Sequence, residues 1–171
     1  MKKLNLGCGD KILEGYINVD IVDERASQQP DVKCDIRDLS YFENDYADEV
    51  LAVHVIEHFY PWETMELIKE WTRVLKPGGN LVLECPNLIV ACAEFLKNPD
   101  IAALGGKEGQ MSMWPLYGDP SWKDPLMFHK WGYTPNSLGK LLHDVGLKNI
   151  RREPAQYKMK DTRDMRIVGT K

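Results

Sequence analysis

No apolar run in this 171-residue chain approaches the ~20 residues needed to cross a bilayer, so no membrane span is expected. Nothing resembles a signal peptide, because the apolar residues that begin at Leu4 already belong to a strand-like run. Cysteine is sparse and scattered. Cys8, Cys34, Cys85 and Cys92 make no CxxC pair and show no Cys/His ligand spacing, so they read as reduced thiols in apolar surroundings. A phosphate loop of the form G-x-x-x-x-G-K-[ST] is missing. So is an excess of basic charge: 22 Lys and Arg stand against 26 Asp and Glu, for a formal net charge of -4. Nucleic acid is therefore not expected as a partner, since binding its backbone draws on clustered cations. These absences leave a soluble chain with no membrane attachment, for which the reducing cytoplasm is the default.

What is present suits one globular domain over residues 1–171, with a core large enough to need no disulfide or metal. Leu4-Asn5-Leu6 reads as a short buried strand ending in the Gly7-Cys8-Gly9 turn. Ile17–Ile21, Val32–Ile36 and Glu49–Val55 are three more strands, the last rich in Val. The period then changes. Leu67, Ile68, Trp71, Val74 and Leu75 predict an amphipathic helix near 62–75, ended by Pro77-Gly78-Gly79 before a strand at Leu81–Cys85. Asn87 caps a helix to about Leu96, and Thr134-Pro135 opens another that stops at Gly146. Strands near 148–153 and at Arg166–Gly169 close the chain. Strands alternating with helices predict a mostly parallel sheet with helices on both faces. Segment 98–133 is irregular and aromatic, with Trp114, Tyr117, Trp122, Phe128 and Trp131. A connection of that length reads as a substrate lid, or more plainly as a crossover whose aromatics cover a helix.

In an open α/β sheet, ligands bind beyond the carboxyl ends of the strands. The Gly7-Cys8-Gly9 turn lets a ligand approach the backbone. Asp20 ends the second strand, where an acid can accept from both ribose hydroxyls, and Asp35 follows the third, within reach of an adenine amino group. A dinucleotide fingerprint also needs a third glycine, and Ile12 stands in its place. Between Gly9 and Ile17 there is hardly one helical turn, a poor platform for pyrophosphate. A ligand with ribose and adenine but no phosphate fits better.

Over nearly its whole length the sequence resembles the class I S-adenosylmethionine (SAM)-dependent methyltransferases, in particular their small-molecule-type members. The resemblance rests on Leu4–Gly9, Ile17–Asp20, Cys34-Asp35-Ile36, Asp48–Val50 running into His54–His58, Arg73–Gly79 before an apolar strand and Pro86-Asn87, and Phe128–Lys130 through Gly146-Leu147. It implies a Rossmann-like seven-stranded sheet with the last strand antiparallel. It also implies SAM as cofactor and S-adenosylhomocysteine as product. Gly7, Cys8 and Gly9 would lie against the methionine part, Asp20 on the ribose, Ile21 beside adenine, Asp35 and the Ile36 N–H on adenine, and the His54 backbone at the amino-acid end. One departure stands out. Residues 10–16 are shorter than the dozen or so that parallel neighbours need, so the first crossover is truncated and SAM should be held more openly.

Methyl transfer requires an acceptor held in line with the sulfonium, and a hydroxyl or protonated amine also needs a base. The candidates are His54, Glu57, His58 and His129, of which His58 and His129 are taken as catalytic. His143 reads as surface. His54 and His58 have the spacing of H-E-x-x-H, but Val55 replaces the Glu, so no metal is expected. Lys148, Arg151, Arg152, Lys158, Lys160 and Arg163, interleaved with Glu153, Asp161 and Asp164, read as a solvated strand pair or as recognition of an anionic acceptor. The leading expectation is an enzyme that methylates an O or N of a small-molecule or sugar-type acceptor. A non-catalytic binding module of the same fold and an NAD(P)-dependent oxidoreductase are the alternatives. The aromatics also offer a surface for a homodimer.

Overall fold

The computed structural model describes residues 1–100, 107–157 and 163–171. Seven strands make one sheet: β1 Lys3–Leu6, β2 Ile17–Asp20, β3 Val32–Lys33, β4 Ala47–Val53, β5 Leu75–Pro86, β6 Lys148–Glu153 and β7 Asp164–Thr170. Their order is β3-β2-β1-β4-β5-β7-β6. β7 is antiparallel to both neighbours, and the remaining pairs are parallel. This is the expected Rossmann-like arrangement. The order reverses between β1 and β4, which opens a crevice at the carboxyl ends of β1, β2 and β4.

Among the described residues four α-helices accompany the sheet: α1 Thr64–Arg73, α2 Leu88–Lys97, α3 Met113–Tyr117 and α4 Pro135–Asp144. α1 buries Leu67, Ile68 and Trp71, one stripe at helical spacing. α4 opens on a capping box between Thr134 and Ser137 with Pro135 in its first turn, and the Asn87 side chain caps α2. Along the strands, side chains alternate between faces. Leu4, Leu6, Val50, Ala52, Leu81, Leu83 and Ile167 point to the main core with the buried residues of α1 and α4.

The second face differs from expectation. Among the described residues no helix packs there; Leu51, Val82 and Val168 are covered instead by Leu13, Tyr16 and Val53. The reason lies in the truncated crossover. Residues 7–16 have no room for a helix, and two buried asparagines on β1 and β2 hold them down as a loop. Asn5 Nδ2 donates to Lys11 O and to Asn18 Oδ1, each at 2.9 Å, and Asn18 Oδ1 also accepts from the Leu13 N–H at 2.8 Å. Farther along this face, buried Glu84 accepts from the Gln156 and Tyr157 N–H groups, drawing the β6–β7 connection across β5.

Several boundaries also move. β5 begins at Leu75, and a register shift opposite Ala47 and Glu49 absorbs Pro77-Gly78-Gly79 within the strand. β3 keeps only Val32–Lys33, and β4 stops at Val53. Segment 98–133, of which 101–106 lie outside the described residues, is built from α3 and single 3-10 turns at Lys107–Met111, Pro120–Trp122 and Pro125–Met127. Cys92 is exposed rather than set in apolar surroundings. No helix among the described residues is long and apolar enough to cross a membrane.

Candidate functional site

β1 ends at Gly7 in the left-handed region, with φ +64°, and a Cβ there would lie 2.7 Å from Val55 Cγ2. Only glycine fits, and the chain turns back under the crevice. Gly9 N–H then donates to Asp20 Oδ2 at 2.7 Å, while Asp20 Oδ1 accepts from Val22 N–H at 3.2 Å. The carboxylate thus joins the first turn to the end of β2. Between the glycines, burial pushes the Cys8 thiol up to about 12, so it stays protonated and unreactive.

The second acid, Asp35, also lines the crevice. Arg37 grips both its oxygens, with Nε at 3.0 Å from each and Nη2 at 2.6 Å from Oδ2, which holds the carboxyl below its ordinary range. Ile36 beside it is pinned from the core, its carbonyl accepting from Trp71 Nε1 at 2.8 Å. A cavity of about 270 Å³ is lined by all eight residues expected at a cofactor: Gly7, Cys8, Gly9, Asp20, Ile21, Asp35, Ile36 and His54. Arg25 also reaches its wall from the β2–β3 loop. Its guanidinium approaches Met127 Sδ at 3.0 Å and Asp124 at 3.4 Å and lies over the Trp122 ring, tying segment 120–127 across the opening.

His54 follows β4 in a left-handed conformation, φ +54°, unusual for a residue with a Cβ. Its ring is buried between two buried carboxylates, with Nε2 at 2.8 Å from Asp164 Oδ2 and Nδ1 at 3.1 Å from Glu57 Oε1. Arg163 Nη1 donates to the other Asp164 oxygen at 2.8 Å. Burial alone would lower the His54 pKa, but the two carboxylates outweigh it and raise it. Burial likewise pushes Glu57 up, and His54 and the other two imidazoles bring it down to about 2. The structure therefore holds a buried, charged chain of Glu57, His54, Asp164 and Arg163.

His58 and His129 meet at the same place. Their rings form an edge contact with centroids 4.9 Å apart, and His129 Nε2 lies 3.9 Å from Glu57 Oε1. His58 Nδ1 donates to Phe128 O at 3.1 Å and His129 Nδ1 to Pro115 O at 2.9 Å. Burial lowers the His58 pKa and outweighs the pull of Glu57, so this ring is neutral near pH 7. A second cavity, about 290 Å³, opens here between His54, His58, His129 and Trp114. It shares Asp10, Lys11, His54, His58, Trp122 and Met127 with the first.

The eight residues expected at the cofactor, with His58 and His129, thus line one or other of two adjoining cavities, whereas Glu57 lines neither. His143 is at the surface, as expected, with 78% of its side chain exposed. The solvated reading of the late charges fails for Arg163 and Asp164, which are buried, while Lys158, Lys160 and Asp161 lie outside the described residues. The sequence reading missed Arg25, and it missed the pairing of Asp164 with His54. Neither carries a local signal, since their partners stand about a hundred positions away; a charged pair, Arg163-Asp164, opening an apolar strand was the nearest hint.

Residues 4–83 match the model of the methyltransferase domain family. No curated protein matches the sequence. Among solved structures, the chain is similar to a SAM-dependent methyltransferase from Archaeoglobus fulgidus, with a TM-score of 0.66 and 19% identity over 99% of this chain and 86% of that one. A SAM-dependent methyltransferase from Methanosarcina mazei gives 0.61 and 18% over 99% and 92%. The 1,6-didemethyltoxoflavin-N1-methyltransferase of Burkholderia thailandensis, solved with 1,6-didemethyltoxoflavin and S-adenosylhomocysteine bound, gives 0.63 and 13% over 99% and 70%.

Proposed function

We propose that the chain is a class I SAM-dependent methyltransferase and that it methylates an O or N of a small-molecule or sugar-type acceptor held in the second cavity. The observation that carries this reading is the pair of adjoining cavities, which share His54 and His58 at their common wall. Residues at the first cavity fit the cofactor. A Cβ at Gly7 would meet Val55, so the glycine keeps the backbone low, and on this reading Asp20 and Asp35, both lining the cavity, accept from ribose and adenine. When bound, SAM supplies an activated methyl on a sulfonium. The chain's own task is then to hold an acceptor in line beside it and to exclude water. His58 and His129 face the acceptor. In each ring the Nδ1 hydrogen is committed to a backbone carbonyl. Trp114 and Trp122 supply flat apolar surface for an aromatic or sugar face.

Calorimetric titration with SAM and with S-adenosylhomocysteine, beside an Asp20→Ala variant, tests the cofactor half. Micromolar binding lost in the variant is expected. The shortened first crossover favours a second reading, a binding module of the same fold without catalysis. A folded sample that binds neither ligand would select it.

A further inference from the structure

We propose that Glu57, His58 and His129 form a site for one divalent transition-metal ion of the zinc or cobalt type beside the second cavity, whose wall His58 and His129 line. One ligand atom from each residue lies within 4.8 Å of the other two. Two imidazoles and a carboxylate are the donor set of catalytic zinc sites, which leave a position open. The sequence reading expects no metal, because it looks for His54 with His58. In the folded chain His54 lies between Glu57 and Asp164, and His129, distant in sequence, joins His58 beside Glu57.

Orientation favours an ion over a pair of independent bases. A carbonyl can only accept, so the Nδ1 of each ring carries a hydrogen towards Phe128 O or Pro115 O, and each Nε2 is the ligating nitrogen. Outer-shell bonding of this kind is what orients metal-bound histidines. Glu57 is the second argument. It is 2% exposed, and neither oxygen has an aligned hydrogen bond among the described residues. Its nearest cation, His54, contacts it at 3.1 Å without hydrogen-bond alignment and is shared with Asp164. Burying a carboxylate in that state is costly, and a coordinated ion offsets the cost. For tetrahedral bonds of about 2.0–2.1 Å the ligands must close to roughly 3.3 Å of one another, so binding draws the three side chains together. The open position would face the second cavity and hold and polarise an acceptor oxygen. That role rests on the function proposed above; metal binding itself does not.

The full chain, stripped with a chelator and dialysed, is titrated with cobalt(II) and read by its visible ligand-field bands, then with zinc(II) by calorimetry. One ion per chain is expected. Glu57→Gln and His129→Ala should each weaken it about 100-fold or more, beyond what losing an outer-shell partner costs, while His143→Ala should leave it unchanged. Should those variants fail to fold, the wild-type ring-proton spectrum decides: two of the four histidines should shift with zinc. Absence of stoichiometric binding, unchanged affinity in folded variants, unshifted histidine signals, or a near-ultraviolet thiolate band placing the ion on a cysteine would each overturn the site. S-adenosylhomocysteine binding is measured on the same samples, so a failed cofactor reading is seen separately from a failed metal site.

Discussion

Replacing Asp164 by Asn removes one charge from the buried chain of Glu57, His54, Asp164 and Arg163 while keeping its shape. His54 Nε2 lies 2.8 Å from the lost carboxylate oxygen, with both side chains out of solvent. Breaking a buried pair from one side costs about 3–5 kcal/mol. Domains of this kind are stable by roughly 5–15 kcal/mol, so the loss is a large share of the whole. At about 2–4 °C per kcal/mol, the melting temperature should fall by roughly 6–20 °C. The pH dependence is the sharper test. His54 has its folded pKa raised from an unfolded value of 6.5. Its contribution is therefore complete below that value and is lost as pH rises through the raised folded pKa. The Asn substitution removes one of the two carboxylates that raise it. Urea denaturation of both proteins should show the largest deficit on the acid side of neutrality, narrowing towards alkaline pH where His54 is neutral in both. A deficit below about 1 kcal/mol, or one constant between about pH 5.5 and about pH 9, would refute a charged His54.

Gly7→Ala should cost about 1–2 kcal/mol for its left-handed backbone, with a further cost for the Cβ at 2.7 Å from Val55. Adding Val55→Ala should recover the second part only, so a denaturation double-mutant cycle should show coupling of about 1 kcal/mol, and strict additivity would contradict the contact. Thr134→Ala removes the capping box of α4 and should lower stability by about 1 kcal/mol, read from the urea midpoint at unchanged slope. Arg25→Ala should change global stability by less than about 1 kcal/mol, its ion pair being partly exposed. Hydrogen exchange at the Met127 and Phe128 amides should nonetheless speed up; equal rates would mean that Arg25 does not tie segment 120–127 down.

Much of this molecule is legible locally. β1 announces itself by Leu-Asn-Leu and the glycines after it, and α4 by Thr134-Pro135 and its apolar stripe, because each signal lies within one turn or one pleat of its consequence. The two acids at the strand ends, Asp20 and Asp35, are readable for the same reason. Pairing across the fold is not. Asp164 meets His54 only because β7 inserts beside β5, and Glu57, a candidate base in the sequence, meets His129 only once the fold brings the two together. The bare second face was foreshadowed by the short first crossover. Asn5 and Asn18 hold the loop that covers it, yet in sequence each is a single polar residue within a strand, with nothing to show what it bonds.

That loop serves two surfaces at once. Its glycine end lines the first cavity, and Leu13 and Tyr16 at its other end roof the apolar residues of β4, β5 and β7. A ligand that settles the glycine turn therefore also settles the roof, and occupancy and integrity of the sheet become one linked equilibrium. At a ligand concentration of 100 times Kd the linkage is worth about 2.7 kcal/mol. In most folds of this plan a separate helix would insulate the sheet from the state of its ligand. This chain carries no such buffer on that face among its described residues, so how firmly β1 and β2 are held is set in part by how full the cavity is.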